Sequence, residues 1–301
     1  MKNRVVHFLL LLMCGISTTT MAQSSFHRMG ASSNAVVVKT IKLSTGVTLE
    51  YAEQGDPDGE PVIFLHGITD SWHSFESTFK HLPASIHAFA VSQRGHGDSE
   101  RPADGYTPKD FAADIADFIK QNKLGPVIIA GHSMGGVNAQ QFALDYPQLT
   151  KGLVIIDSDP AMKENPGMPE FYHQVMQLKD PVIDKQFMDE FQKSTLVKPI
   201  DPAYYELLVE EGLKVPTRVF KAALTGLINV DYTKDLEKIT VPALIFWGDK
   251  DAFCLEKDQQ VFIDNIRNAK LITYENTGHA LHWEEPVRFA TDLVNFINKF
   301  F

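Results

Sequence analysis

Ile129-Ala130-Gly131-His132-Ser133-Met134-Gly135-Gly136 closes a short apolar, β-branched run (127–130, VIIA) and opens the segment VNAQQFALDY, with Val137, Phe142 and Ala143 at helical spacing and Pro147 at its end. This is a strand, a Gly-x-Ser-x-Gly turn and a helix. A serine on such a turn is forced into a strained, exposed position, and Gly131 and Gly135 lack the side chains that would block the approach of strand to helix. The Ser133 hydroxyl then stands at a helix N-terminus, whose free N–H groups favour negative charge. That placement suits a nucleophile whose reaction develops an oxyanion.

Working outward, strands and helices alternate. Residues 36–43 and 47–53 alternate apolar and polar around Ser44-Thr45-Gly46 and predict a β-hairpin. Continuous apolar runs at 61–65, 86–91, 127–130, 153–156, 243–247 and 271–274 predict strands buried on both faces. Residues 107–123 carry Phe111, Ile115, Phe118 and Ile119 on one helical face, with Thr107 as cap and Pro108 at the first helical position. The pattern predicts an α/β fold, a mostly parallel central sheet with helices on both faces. Residues 158–240 break the rhythm: helical patterns at 171–178, 183–191, 203–211 and 218–228 are punctuated by prolines, and no strand is evident. They predict a helical cap inserted between the two parts of the core, 35–157 and 241–301.

The 301 residues are 44% hydrophobic, enough for one large domain with an insertion. A net charge of −10 with no Lys/Arg-rich run argues against nucleic acid or an anionic membrane surface as partner. Residues 1–22 combine a basic start, a mostly apolar stretch and small residues at Thr20 and Ala22. They predict a secretory signal peptide cleaved before Gln23, hence a periplasmic or secreted protein; the apolar run is too short to span a bilayer. Its removal makes the chain two units more negative, through loss of Lys2 and Arg4. Residues 23–34 read as a flexible lead. Cys14 leaves with the signal, so Cys254 stands alone and no internal disulfide is expected.

A serine at its free pKa needs a base, and the base an orienting acid, in loops at the C-terminal ends of strands. Asn276-Thr277-Gly278-His279 follows the strand at 271–274, and Trp247-Gly248-Asp249-Lys250-Asp251 the strand at 243–247. His279 is favoured over His282, which sits where the last helix begins. Asp251 is favoured over Asp249, a turn-forming position, and over Asp157, which ends another strand. The order Ser133, Asp251, His279 is that of the α/β-hydrolases. Oxyanion donors are expected at the backbone of Met134, after the nucleophile, and of Ile68, in the His66-Gly67-Ile68-Thr69 loop after the strand at 61–65. No metal-ligand spacing, phosphate-cradling loop or dinucleotide fingerprint is present, so no metal or cofactor is expected.

His66-Gly67, Arg94-Gly95-His96-Gly97-Asp98-Ser99, Gly131 to Gly136, Gly248-Asp249-Lys250-Asp251 and Gly278-His279 together resemble the α/β-hydrolase fold superfamily over about residues 45–301. The branch is that of capped esterases, lactonases and non-haem haloperoxidase-like enzymes. The resemblance implies Ser133 as nucleophile, His279 as general base and Asp251 as its acid, with Ile68 and Met134 as oxyanion donors. The loop at 94–99 often begins with Asp in that family where this chain has Ser92. The expected activity is hydrolysis of a mainly apolar small-molecule ester or lactone through an acyl-enzyme. Trp72, Phe75, Phe171, Phe253 and Trp283 are candidate pocket residues. Alternatives on the same triad are a cofactor-free haloperoxidase or perhydrolase, a proline iminopeptidase-like enzyme, and a slow-turnover ligand receptor.

Overall fold

The computed structural model describes residues 35–301 apart from residue 180; the expected signal peptide and lead, 1–34, lie outside the described residues. The strands are β1 (Val37–Lys42), β2 (Thr48–Gln54), β3 (Glu60–Leu65), β4 (Ile86–Ser92), β5 (Val127–His132), β6 (Thr150–Ile156), β7 (Ala243–Gly248) and β8 (Ala269–Tyr274). They form one sheet in the order β1-β2-β4-β3-β5-β6-β7-β8. β1 and β2 pair antiparallel, as does β2 with β4; every other pairing is parallel. The helices are α1 (Glu76–Phe79), α2 (Pro108–Gln121), α3 (Met134–Asp145), α4 (Met168–Gln177), α5 (Lys185–Ser194), α6 (Pro202–Leu213), α7 (Thr217–Ile228), α8 (Glu256–Asn265), α9 (Leu281–Glu284) and α10 (Pro286–Phe300). No helix of the described residues is long and apolar enough to cross a membrane.

Alternation along the strands builds two apolar layers. Ile63, Leu65, Ile129, Leu153, Ile155 and Ile245 face α2, α3 and α8. Val62, Phe64, Ile128, Val154, Leu244 and Phe246 face α1 and α10, where Phe79, Phe289 and Leu293 are fully buried. Because both faces are covered, the central strands read as unbroken apolar runs.

The first turn of α2 is fixed by a capping box: Thr107 N–H donates to Asp110 Oδ2 and Asp110 N–H to Thr107 Oγ1. Asp114, in the body of that helix, makes a paired contact with the buried Arg94 of the loop after β4, Nε to Oδ2 at 2.7 Å and Nη2 to Oδ1 at 2.6 Å. The Arg94 to Ser99 loop is thereby tied to α2. At Ser92, where the resembling family often has Asp, the carboxylate comes from elsewhere: Glu50 of β2 accepts from Ser92 Oγ and from Asp98 N–H. Replacing Asp114 with Ala is expected to destabilise the protein by about 3–5 kcal/mol, since it strands a buried guanidinium. Equilibrium denaturant unfolding of the variant against wild type measures this.

Between β6 and β7 the chain contributes α4 to α7 and, among the described residues, no strand beyond an isolated Val182–Pro216 bridge. α5 is capped by Asp184, and α6 by Asp201 with Pro202 in its first turn. The aromatic rings of Phe171 (α4), Phe191 (α5) and Phe220 (α7) pack together at 5.5–6.2 Å between centroids, joining three of the four helices.

Candidate active site

Ser133 is the single residue between β5 and α3, with φ +51° and ψ −116°, a conformation costly for a residue with a Cβ. The fold holds it there. Ser133 N–H donates to Ile156 O on β6, and Ser133 O accepts from Gly136 and Val137 N–H and from Ser158 Oγ. A Cβ on Gly131 would collide with Gly135 O, and one on Gly135 with Leu65 O, so the close passage of strand, turn and neighbouring strand requires both glycines. The expected strand-turn-helix is therefore present in full.

His279 and Asp251 come from the loops after β8 and β7. His279 Nδ1 lies 2.8 Å from Asp251 Oδ2, and both side chains are buried. The other oxygen of Asp251 accepts from Phe253 N–H (2.7 Å) and Cys254 N–H (3.1 Å), so the carboxylate is oriented by its own loop. The His279 loop is anchored to the inserted segment by Ala280 N–H, which donates to Thr195 O, and is braced by Gly278 N–H, which donates to Glu284 Oε1. With an ionised Asp251 accepting from Nδ1–H, the lone pair of His279 is left on Nε2. Ser133 and His279 line one cavity. Among the described residues no hydrogen bond joins the Ser133 hydroxyl to His279, a contact that in related chemistry tightens when substrate binds.

The competing residues are occupied otherwise. His282 is fully buried, its Nε2 3.0 Å from Ser74 Oγ and its ring stacked on Phe75; burial and the neighbouring His279 hold its pKa well below the usual value. Asp249 pairs with Lys250 near the surface. Asp157 Oδ1 accepts from Gly248 N–H at 2.8 Å, and no hydrogen bond joins it to His279. Its burial, then the charge of Asp251, pushes its carboxyl well above the usual range.

Two backbone N–H groups are free of other partners among the described residues, one in a residue on the wall of that cavity, Ile68, and one in the residue directly after Ser133, Met134. Met134 N–H is the first of α3, one of the unpaired donors of a helix start, and Ile68 N–H lies in the loop after β3. The peptide that carries Ile68 N–H is held from its carbonyl side, since Gly67 O accepts from Asp70 N–H at 3.3 Å and lies 2.7 Å from His66 Nδ1; the next carbonyl, Ile68 O, lies 2.8 Å from His96 Nε2.

The family profile described as "alpha/beta hydrolase fold" matches residues 60–286. The chain belongs to the α/β-hydrolase fold family. The AB hydrolase superfamily protein YisY of Bacillus subtilis is 28% identical over 268 residues, covering 86% of this chain and 98% of that protein. The non-heme chloroperoxidase CPO-A1 of Kitasatospora aureofaciens is 26% identical over 277 residues, covering 84% and 97%. Among solved structures, an esterase from Exiguobacterium antarcticum superimposes with a TM-score of 0.79 at 24% identity, covering 87% of this chain and all of that one. Membership makes this a hydrolase-fold protein with a small-molecule substrate.

In this hydrolase the cavity at Ser133 measures about 20 Å3 and is walled by Gly67, Ile68, Thr69, Asp70, His132, Phe191, Gln192, Thr195, His279 and Trp283. It has room for about one water and no more. Of the pocket residues expected from sequence, Trp283 lines this cavity. Phe253 lies against His279 (4.8 Å between centroids), and Phe171 packs on Phe191 and Phe253 behind the wall. Trp72 and Phe75 are placed otherwise. The short turn Trp72–Phe75 rolls both into the apolar layer under the sheet, Phe75 between Phe64 and His282, away from the cavity. Asp70, Phe191 and Gln192 are wall residues the sequence reading did not single out. Asp70 had a signal, a carboxylate two residues past Ile68 in the loop after a buried strand; Phe191 and Gln192 had none beyond their helical pattern.

Asp251, Cys254 and His279 bring candidate ligand atoms within 4.8 Å of one another. The facing atoms are already engaged, Asp251 Oδ2 with His279 Nδ1 and the thiol of Cys254 with Asp157 O at 3.2 Å. Burial pushes that thiol's pKa well up, away from the thiolate a metal or an electrophile would need.

Proposed function

We propose that this protein is a serine hydrolase of carboxylic esters or lactones, acting through Ser133, His279 and Asp251 by way of an acyl-enzyme. The observation that carries this reading is the 2.8 Å contact of His279 Nδ1 with Asp251, on the wall of the cavity into which the strained Ser133 turn projects. His279 Nε2 takes the proton as Ser133 Oγ attacks the carbonyl carbon. The N–H groups of Ile68 and Met134 receive the oxyanion. Collapse expels the alcohol, protonated by His279, and a water activated by the same nitrogen releases the acid.

The helices of residues 158–240 act as a cap in this reading. With room for only about one water beside Ser133, an ester carbonyl reaches the nucleophile only when α5 and its neighbours move aside. The wall residues Ile68, Phe191 and Trp283 favour an apolar acyl group. Export to the periplasm or medium is proposed on residues 1–22 alone.

A fluorophosphonate probe, with p-nitrophenyl acetate and butyrate turnover measured beside it, tests the reading. Labelling at Ser133 with steady turnover is expected. Labelling of Ser133 without turnover would replace the enzyme by a slow receptor, and no labelling of the folded protein would remove Ser133 from the chemistry. The similarity to the chloroperoxidase supports a second reading, in which peroxide intercepts the acyl-enzyme to form a peracid. Acetate-dependent bromination would reveal it.

A further inference from the structure

Asp70 is a carboxylate that the proposed triad chemistry leaves without a task. It is buried, and it sits on the wall of the Ser133 cavity. Oδ2 accepts from Gly67 N–H at 3.2 Å and from Ser74 Oγ at 3.5 Å. Oδ1 accepts from the side-chain amide of Gln192 at 3.1 Å, and that same amide nitrogen lies 3.2 Å from Thr69 Oγ1. Gln192 belongs to α5, in the inserted helices, and is itself buried. Asp70 therefore holds the backbone one peptide ahead of Ile68 with one oxygen and the inserted helices with the other.

The surroundings leave the carboxylate little freedom. A Cβ on Gly67 would press against Asp70 Oδ2 (2.8 Å) and His132 Nδ1 (3.1 Å), so the loop closes tightly over both. His132 Nε2–H donates to His279 O, which leaves an unprotonated, unpartnered Nδ1 at 3.9 Å from Asp70 Oδ2. His132 thus connects the elbow, the base loop and Asp70 without neutralising the carboxylate.

We propose that Asp70 is a positioning residue that couples the oxyanion hole to the inserted helices. Its Oδ2 holds Gly67 N–H, on the peptide next to Gly67–Ile68, and its own N–H donates to Gly67 O at 3.3 Å; this loop keeps its working geometry only while Gln192 of α5 is seated on Oδ1. When the helices move aside to admit substrate, Oδ1 loses its partner. When they return, the hole is completed around the bound ester. The inference rests on the serine-hydrolase reading, and on Ile68 N–H as a donor to the oxyanion.

The coupling has a pH signature. Burial raises the Asp70 carboxyl to about 6, against smaller lowering contributions from Gln192, Gly67, His279 and Ser74. The titratable groups facing it are His132 and His279, and Tyr204 of α6 feels its charge. The ionised form accepts most strongly from Gly67 and Gln192, one on each oxygen, whereas protonation turns one oxygen into a donor, so the coupled arrangement is strongest above about pH 6 and weakens below it.

The test is the pH dependence of kcat and KM on p-nitrophenyl butyrate for wild type, Asp70→Asn, Gln192→Leu and the double variant, with Ser133→Ala alongside. Asp70→Asn is expected to lower kcat about a hundredfold, near the effect of losing one oxyanion donor, and to leave KM within about threefold. The wild-type acid limb should carry a contribution from Asp70 near pH 6 that the Asp70→Asn limb lacks. Gln192→Leu, which removes no charge and no backbone contact, should lower kcat in the same direction. The double variant should be no worse than Asp70→Asn, because the two residues act as one unit. An unchanged kcat in Gln192→Leu, additive losses, or an acid limb unaltered by Asp70→Asn would overturn the proposal. If Ser133→Ala is inactive while Asp70→Asn matches wild type, only this inference fails. If Ser133→Ala turns over like wild type, the serine reading fails and this one with it.

Discussion

Ser133→Ala is expected to lower kcat on p-nitrophenyl esters by about six orders of magnitude while the protein stays folded, a loss typical of removing a triad nucleophile. The structure argues for both halves of that statement. Among the described residues, the Ser133 hydroxyl makes no bond that holds the elbow together; the elbow is held by Ser133 N–H to Ile156 O and by Ser133 O to Gly136, Val137 and Ser158, all of which alanine retains. The positive φ is no worse for Ala than for Ser, since both carry a Cβ. What remains in the variant is the pair of free N–H groups and the cavity, so residual hydrolysis above the uncatalysed rate is expected, insensitive to the fluorophosphonate probe. Steady-state turnover of purified variant and wild type, with circular dichroism on the same samples, checks it. Hydrolysis by a folded Ser133→Ala protein at near wild-type rate would show that another group attacks the substrate.

The strands at the centre of the sheet were legible because burial on both faces leaves no polar interruption. β3, β4 and β7 lie within one residue of the apolar runs that predict them. β6 starts earlier than its apolar run, at Thr150, because register with β5 and not side-chain polarity decides where pairing begins; Thr150 sits opposite Val127. β8 likewise starts at Ala269, paired with Ala243. The elbow was legible because sterics at Gly131 and Gly135 write themselves into five consecutive positions. Side-chain direction within a loop was not. Trp72 and Phe75 follow the oxyanion loop closely in sequence, yet the 3-10 turn aims both under the sheet. The pairing of Asp70 with Gln192 was beyond sequence reasoning altogether, because it joins a core loop to an inserted helix 122 positions away.

The choice of Asp251 over Asp157 marks the same boundary, and a second substitution turns it into a measurement. Both acids follow neighbouring parallel strands, both are buried, and strand order alone does not separate them. Hydrogen bonding does: His279 Nδ1 meets Asp251 Oδ2, whereas Asp157 spends Oδ1 on Gly248 N–H. Asp251→Asn is expected to lower kcat about ten-thousandfold at neutral pH with little change in KM, the size of loss that a wrong histidine tautomer causes in a serine triad. The substituted side chain has a single oxygen, and the N–H groups of Phe253 and Cys254 already claim the oxygen on that side. Its amide nitrogen must then face His279 Nδ1. A donor there selects the tautomer with the lone pair on Nδ1 and the proton on Nε2, so the nitrogen that should accept from Ser133 carries a hydrogen instead. Asp157→Asn keeps an oxygen for Gly248 N–H and leaves the His279 tautomer untouched, and it is expected to lose only a small fraction of activity. Comparing kcat for the two variants decides between the acids. A collapse confined to Asp157→Asn would move the orienting role to the end of β6, and collapse of both would mean that the two carboxylates act on His279 as one unit.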